Sequence, residues 1–289
     1  MAHQRIAITG ASGLIGTALV GHLRSEGHTV QKLVRRTTIS SDEISWDPIA
    51  GTVDINALEG VDAVIHLAGA GVGDKRWTSR YRAEILNSRL LGTTAIAQAV
   101  ATVKPSVFIS ASAMGFYGET GNRAVTEIDR PGDDFLATVC KEWEAAADLA
   151  PEVRTVKLRT GLVLDPTGGA LGKMLPLFKF GLGGKLGSGN QWWSWITLHD
   201  QIRAICHLLE SNVSGPVNLT SPNPVTNQEF TSALARALHR PALFPAPAFA
   251  LKLALGGFST EILGSKRVLP QVLLDSGFTF DYPHVTSAL

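Results

Sequence analysis

The chain has 289 residues, 45% hydrophobic and 18% charged, with a formal net charge of +1, which is enough for one large domain or two coupled small ones. It carries no basic stripe or acidic tail, and no apolar run approaches the ~20 residues of a membrane span. Neither nucleic acid nor a membrane is therefore an expected partner, and with Met1 to Gln4 leading straight into a strand-like run the expected location is the cytoplasm.

The first half alternates short β-branched runs with helical patterns. RIAITG, from Arg5, reads as a strand, and LIGTALVGHLRSEG as a helix closed by Gly27. HTVQKLVRR is a second strand and DAVIHLAG a buried one. The run from Ser79 to Val103 is a long helix, PSVFISASA a strand, DFLATVCKEWEAAADLA a helix and VRTVKLRTGLVL a strand. Strand and helix in repetition give a parallel sheet with helices on both faces, and ligands of such sheets bind at the carboxyl ends of the strands.

The second half is richer in Pro and Gly, beginning with DPTGGALGKMLPLFKFGLGGKLGSGN. GPVNLTSPNPVT reads as one more strand and turn, and TNQEFTSALARALHR as a helix with Thr226 or Asn227 as N-cap and Glu229 in its first turn. The tail mixes short helices with Pro breaks. The expected fold is α/β: a doubly wound parallel sheet with a small, mostly helical C-terminal substrate lobe. Residues 1–165, with 191–230 returning to them, form the nucleotide-binding domain; residues 166–190 and 231–289 form the lobe.

GASGLIG places Gly10, Gly13 and Gly16 where the first strand hands over to the first helix. The first glycine permits a tight turn, the second lets backbone approach a pyrophosphate, and the third lets helix and strand pack closely. The helix presents its N-terminal N–H groups and positive dipole end to the phosphate, so Ser12, Leu14 and Ile15 join the glycines as expected cofactor contacts. A glycine-rich turn without a ligand is the alternative, but the position inside a βαβ unit favours the nucleotide. An acid at the end of the second strand would hold a ribose 2′-hydroxyl; here LVRR supplies Arg35 and Arg36, whose guanidinium forks suit a 2′-phosphate. NADP(H) is therefore expected over NAD(H), the alternative being two solvated surface arginines.

With TGASGLIG at the start, HLAG at His66–Gly69, GFYG at Gly115–Gly118 and LRTGLVL at Leu158–Leu164, the chain resembles the extended short-chain dehydrogenase/reductase superfamily, in its epimerase/dehydratase branch. FLATVCKEWE, GGKLGSGNQWWSWITLHD, NLTSPNPVTNQEF and KRVLPQVLLDSGFTFDYP extend the likeness to the "epimerase family protein" group, which has its own short C-terminal domain. The resemblance implies a Rossmann-like fold binding NADP(H), with Leu67, Ala68, Gly69, Arg89, Lys141 and Thr160 at the cofactor. The superfamily pairs a Tyr and a Lys four residues apart on one helix face with a Ser or Thr after the fifth strand. By that count Lys141 is present but the Tyr position is Ala137, and Ala113 stands in the Ser position, with Ser112 one residue earlier. Lys141, Tyr117 and Ser112 remain as candidate catalytic groups. Arg89, at a place where the superfamily often has Asn, either stabilises an oxyanion or makes a structural ion pair.

On the substrate side, Arg76 and Tyr81 follow the fourth strand, and Trp193 and Trp195 either wall a planar or apolar substrate or fill the core. Asp200 reads as the N-cap of the helix that follows it rather than as a catalytic acid. The eight histidines show no metal-ligand spacing, so no metal is expected, and Cys140 and Cys206 read as buried thiols of a reducing compartment. The leading expectation is an NADP(H)-dependent oxidoreductase acting on a small molecule. A sugar-nucleotide-type epimerase and a non-catalytic NADP(H)-binding redox sensor are the alternatives, and a homodimer is left open.

Overall fold

In the computed structural model, which describes residues 3–289, the chain runs β1 (Arg5–Thr9), α1 (Leu14–Ser25), β2 (Thr29–Val34), β3 (Glu43–Asp47), β4 (Thr52–Val53), α2 (Ile55–Leu58), β5 (Ala63–His66), α3 (Ser79–Val103), β6 (Val107–Ala113), β7 (Ala124–Val125), α4 (Phe135–Ala147), β8 (Arg154–Thr160) and β9 (Leu162–Asp165). It continues through α5 (Gly169–Lys179), β10 (Trp192–Trp193), β11 (Trp195–Thr197), α6 (Leu198–Glu210), β12 (Gly215–Leu219), β13 (Val225–Thr226), α7 (Asn227–Ala237), α8 (Ala248–Leu255), α9 (Ser259–Leu263), β14 (Arg267–Val268), α10 (Gln271–Asp275) and α11 (Val285–Ala288). Eight strands form one sheet in the order β12-β8-β6-β5-β1-β2-β3-β4, and only the β3–β4 pair is antiparallel. From β1 the chain builds outward to β2 and β3 on one side, then returns to β5 on the other. This is the Rossmann-like topology, and it opens a crevice beyond the carboxyl ends of β1 and β5.

Side-chain alternation explains why helices cover both faces. Ile6, Ile8, Ile65 and Ile109 join one core with Leu19 and Leu23 of α1 and Ile205 and Leu208 of α6. Their neighbours Ala7, Val64 and Phe108 point the other way, into a core with Ile96 and Val100 of α3 and Ala147 of α4. The helices start where the sequence offers caps. Thr78 accepts from Tyr81 N at α3, Asp134 from Ala137 N at α4, and Thr226 and Glu229 make a reciprocal box at α7. At α6 the cap is Thr197. Asp200 sits in the first turn, buried, where it accepts from Asp281 N and Tyr282 N and holds the C-terminal tail; the expectation that it caps the helix is corrected accordingly.

The stretch expected as one strand from Val153 to Leu164 is two. At Gly161 a Cβ would meet Ser194 O at 2.7 Å, so only glycine lets the chain leave the main sheet there and pair β9 with β11. Around β9 and β11 a third core gathers Leu164, Leu171, Phe178, Trp195, Phe230 and Leu234.

A buried polar network joins these parts. Arg159 of β8 makes a two-pronged ion pair with Glu144 of α4, Nε to Oε1 at 2.8 Å and Nη2 to Oε2 at 2.9 Å. Ser112 donates to the same carboxylate, Arg159 also donates to the Tyr117 hydroxyl, and Tyr117 donates to Asn218. Asn218 then donates to Leu269 O, reaching the C-terminal segment, which is further tied by β14 pairing with β7. Removing one partner leaves a buried charge unpaired. Arg159→Met is expected to cost about 3–5 kcal/mol, read as a lowered urea midpoint with NADPH absent.

Candidate functional site

The turn after β1 is shaped for an anion. Gly10 has φ +68° and presses on the next strand's exit, where an added Cβ would lie 2.8 Å from the Leu67 carbonyl carbon. At Gly16 a Cβ would overlap the Gly10 carbonyl oxygen. Gly13 is different: a Cβ there lies 3.4 Å from Gly10 O, so its small size is not required by the fold and leaves open space beside the turn. Helix α1 starts at Gly13 with no side-chain cap and no acid in its first turn, so its leading N–H groups and positive end face the crevice without a protein partner. Leu14 packs beneath the Gly168–Gly169 turn.

The crevice is a cleft of about 1270 Å³, above the roughly 300–1,000 Å³ of pockets for drug-sized ligands. It runs from Gly10–Gly13 over the end of β2 on one side and over Leu67–Gly71 to Tyr81 and Ser88 on the other. The two expected arginines part company. Arg36 is clamped by Glu43 through two hydrogen bonds, Nη1 to Oε2 at 2.8 Å and Nη2 to Oε1 at 2.5 Å, and the guanidinium holds the Glu43 carboxyl below its usual range. Arg35 lines the cleft exposed and has no ion-pair or hydrogen-bond partner among the described residues.

Beyond β5 the backbone is held from below. The Thr9 hydroxyl accepts from Leu67 N at 3.1 Å and from Ala68 N at 3.2 Å, and pairs with His66 Nδ1 at 2.7 Å. With both lone pairs used, the Thr9 proton goes to His66 Nδ1, which must therefore be the unprotonated nitrogen. His66 is fully buried, edge-on to Trp46, and burial lowers its pKa from 6.5 to about 3. In the sequence Thr9 and His66 stand only as the first residues of TGASGLIG and HLAG, with no role attached to either side chain. The signal for Thr9 is a hydroxyl at the last residue of a buried strand, immediately before the turn.

Behind the far wall of the cleft, and not among its lining residues, Arg89 of α3 lies against Gly69, donates to Ala70 O at 2.9 Å and Ile85 O at 3.1 Å, and stacks on Trp143 with Cζ 4.8 Å from the ring. It has no carboxylate partner among the described residues, and burial lowers its pKa. Tyr81 lines the cleft, but its hydroxyl donates to Gly71 O and burial raises its pKa.

The three candidate catalytic groups are not brought together. Ser112 and Tyr117 are buried in the Arg159–Glu144 network, and burial pushes the Tyr117 phenol up to about 12, so neither is free to act on a ligand in the cleft. Lys141 is exposed on α4. The residues of that helix facing the end of β6 are one position earlier in register: Leu136, whose side chain packs on Gly115, and Cys140, whose thiol lies 3.7 Å from Ala113 O. Leu136, Cys140 and Glu144 form the buried i, i+4, i+8 row that reading Ala137 with Lys141 missed by one residue. Burial pushes the Cys140 thiol up to about 12. Thr160, at the end of β8, meets Gln201 Nε2 at 3.3 Å and is not among the cleft-lining residues.

Nor do the other pocket candidates converge. Trp195 is fully buried with its N–H on Asn223 O, and Trp193 packs on Phe230 with ring centroids 5.3 Å apart, so both belong to the third core and not to a substrate wall. Arg76 is exposed and leans on Gly256. His199, Asp200 and Asp281 bring ligand-type atoms within 4.8 Å, but Arg203 bridges the two carboxylates, completing an ion-pair cluster. Both cysteines are free thiols. No described helix is long and apolar enough to cross a membrane.

The sequence pattern of the NAD dependent epimerase/dehydratase family matches residues 6–220, three quarters of the chain and the whole of the cleft-forming sheet. The chain belongs to that family. Residues 246–289 match a domain of unknown function, DUF1731. An epimerase family protein of Mycobacterium bovis is 44% identical over all of this chain and 97% of its own length. The chloroplastic SDR39U1 homologue of Arabidopsis thaliana is 37% identical, covering 98% of this chain and 85% of its own. The human epimerase family protein SDR39U1, solved with NADPH, superposes with a TM-score of 0.92 at 33% identity, covering 98% of this chain and 97% of that one. A nicotinamide dinucleotide is thus the class of cofactor supported for this cleft.

Two outcomes check the geometry. Gly13→Ala is expected to fold with little loss of stability but to weaken dinucleotide binding, whereas Gly16→Ala is expected to lower the thermal midpoint as well, because it collides with fixed backbone. Calorimetry with and without NADPH separates the two. His66 makes the fold acid-sensitive: between pH 6.5 and about 3 the unfolded chain takes up a proton that the folded chain refuses, so stability falls as pH falls through that window. His66→Asn is expected to flatten this part of the stability curve in urea unfolding at pH 7 and pH 5.

Proposed function

We propose that the protein binds NADP(H) in this cleft and works as an oxidoreductase-like member of its family on a small molecule. The observation that carries the cofactor choice is the division of labour at the end of β2. Arg36 occupies Glu43, the acid on the strand next to β2, through two hydrogen bonds, while Arg35 keeps its whole fork for a 2′-phosphate. The NADPH complex of the human relative supports the same reading. The turn of Gly10, Gly13 and the first residues of α1 would hold the diphosphate, and Leu67–Gly69, pinned by Thr9, would lie along the cofactor.

Bound there, the cofactor would supply hydride exchange at nicotinamide C4. This chain's residues offer little proton transfer beside it: Ala113, Leu136 and Cys140 face the end of β6, and the thiol stays protonated. Arg89, on α3, contributes a fixed positive charge behind the loop after β5, suited to favouring negative charge that develops on a substrate oxygen, with water completing the proton balance. The apolar replacements favour a second reading, a binding protein that reports cofactor redox state without turnover. The epimerase alternative fits least, because that cycle needs a base at the same place.

Arg35→Ala is expected to weaken NADPH about 10- to 100-fold, the loss of one or two hydrogen bonds to a charged group, and to leave NADH unchanged. Fluorescence titration of both nucleotides tests this, and an equal loss for both would remove the assignment. Single-turnover oxidation of bound NADPH across a panel of aldehydes, ketones and 2-oxo acids then separates enzyme from sensor.

A further inference from the structure

The near-neutral net charge hides a local asymmetry. Between Asp165 and Asp200, and again between Glu229 and Glu261, the chain has no acidic residue, yet these stretches carry Lys173, Lys179, Lys185, Arg236, Arg240 and Lys252. The fold lays the two stretches side by side: Phe244 N donates to Gly183 O, Ala246 N to Lys185 O, and Arg240 Nε to Lys179 O. On this joined surface Phe180 is 80% exposed, Leu243 73%, Phe249 74% and Leu253 75%, with Leu182 and Phe244 also more than half exposed. Phe249 and Leu253 lie one turn apart on α8, a helix with no buried residue. None of the six cations makes a salt bridge among the described residues.

Large apolar side chains exposed together on one face mark an interaction site, not ordinary surface. We propose that this face docks on an anionic lipid bilayer, the protruding phenylalanines and leucines entering the headgroup boundary and the lysines and arginines pairing with lipid phosphates. The charge argues against a second copy of the chain: a twofold contact would set this cationic patch against itself. Helix α8 itself carries one cation, Lys252, and supplies apolar anchors; the other cations come from the stretches joined to it and would add attraction to anionic headgroups. The surface also connects to the cleft. Helix α8 runs into Gly256–Phe258, where Gly256 meets Arg76 and Phe258 packs on Gly73, two residues from the cleft-lining Gly71. A bilayer under α8 would therefore sit next to the loop that borders the far end of the cleft.

Sedimentation with vesicles of phosphatidylcholine alone, and of phosphatidylcholine mixed with phosphatidylglycerol, tests the proposal using the full chain. The wild type is expected to bind the anionic vesicles and to release as salt rises. The double variant Phe249→Glu/Leu253→Glu is expected to bind about tenfold or more weakly, with NADPH affinity and thermal midpoint unchanged. Lys179→Glu/Arg240→Glu should weaken binding similarly and serves if the first variant fails to fold. Absence of wild-type binding to anionic vesicles, equal binding to neutral ones, or full retention by a folded variant overturns the proposal. So does a concentration-dependent dimer in gel filtration that the apolar variant dissolves.

Discussion

Two backbones meet at the centre of this molecule with no side chain between them. Gly10 presses on the exit of β5 at Leu67 and Ala68, and Gly16 brings α1 down onto the Gly10 carbonyl. That contact fixes where the N-terminus of α1 points, and thus where unpaired N–H groups and the helix dipole act. It also fixes the height of the Leu67–Gly71 loop, because Thr9, one residue before Gly10, takes the N–H groups of Leu67 and Ala68 onto its hydroxyl. The floor and one wall of the cleft are therefore a single hydrogen-bonded unit. Its core-side anchor is a histidine kept neutral by burial, which cannot swing toward water without exposing the ring packed on Trp46.

What was legible in the sequence follows from how local each signal is. Helix α3 spans Ser79–Val103 as read, because a Thr cap and a long apolar period bracket it. The glycine turn was legible because its spacing is a backbone property. Structure adds that Gly10 and Gly16 are required by packing while Gly13 is not, a distinction spacing alone does not contain. The break at Gly161 was invisible because its cause, the Ser194 carbonyl, is more than thirty residues away in sequence. The slip from Cys140 to Lys141 has another origin: on a helix, adjacent residues are 100° apart, and only the buried row identifies which one faces the sheet. The arginine-rich end of β2 looked uniform in sequence, but Glu43, on the neighbouring strand, takes Arg36 and leaves Arg35.

These assignments bear on what chemistry the cleft supports. A dehydrogenase needs a site that holds a dinucleotide and a group that moves a proton. Here the first is built from backbone and paired charges, while the second is absent from the places that face β6. The polar residues nearest those places have been drawn into structure. Ser112, Tyr117 and Arg159 are spent on Glu144 and Asn218, joining the sheet to the segment that matches DUF1731. A hydroxyl committed to a buried ion pair cannot also serve a substrate, because releasing it would strand the Glu144 carboxylate.

Arg89 is the exception to this pattern. It carries its charge beside Gly69 with no carboxylate to neutralise it, held by two backbone carbonyls and a tryptophan face. A guanidinium in that position costs desolvation, and burial accordingly lowers its pKa, yet the fold gives it no acid. Arg154 is held in the same way, by three backbone carbonyls and no carboxylate among the described residues, whereas Arg159 is paired through both prongs. What sets Arg89 apart is its place: it lies behind Gly69 and Ala70, whose backbone lines the cleft, so its charge reaches that wall through the loop. Under the proposed hydride exchange an oxygen would gain charge, and a cation held behind the loop by backbone carbonyls would favour that charge without giving up a proton.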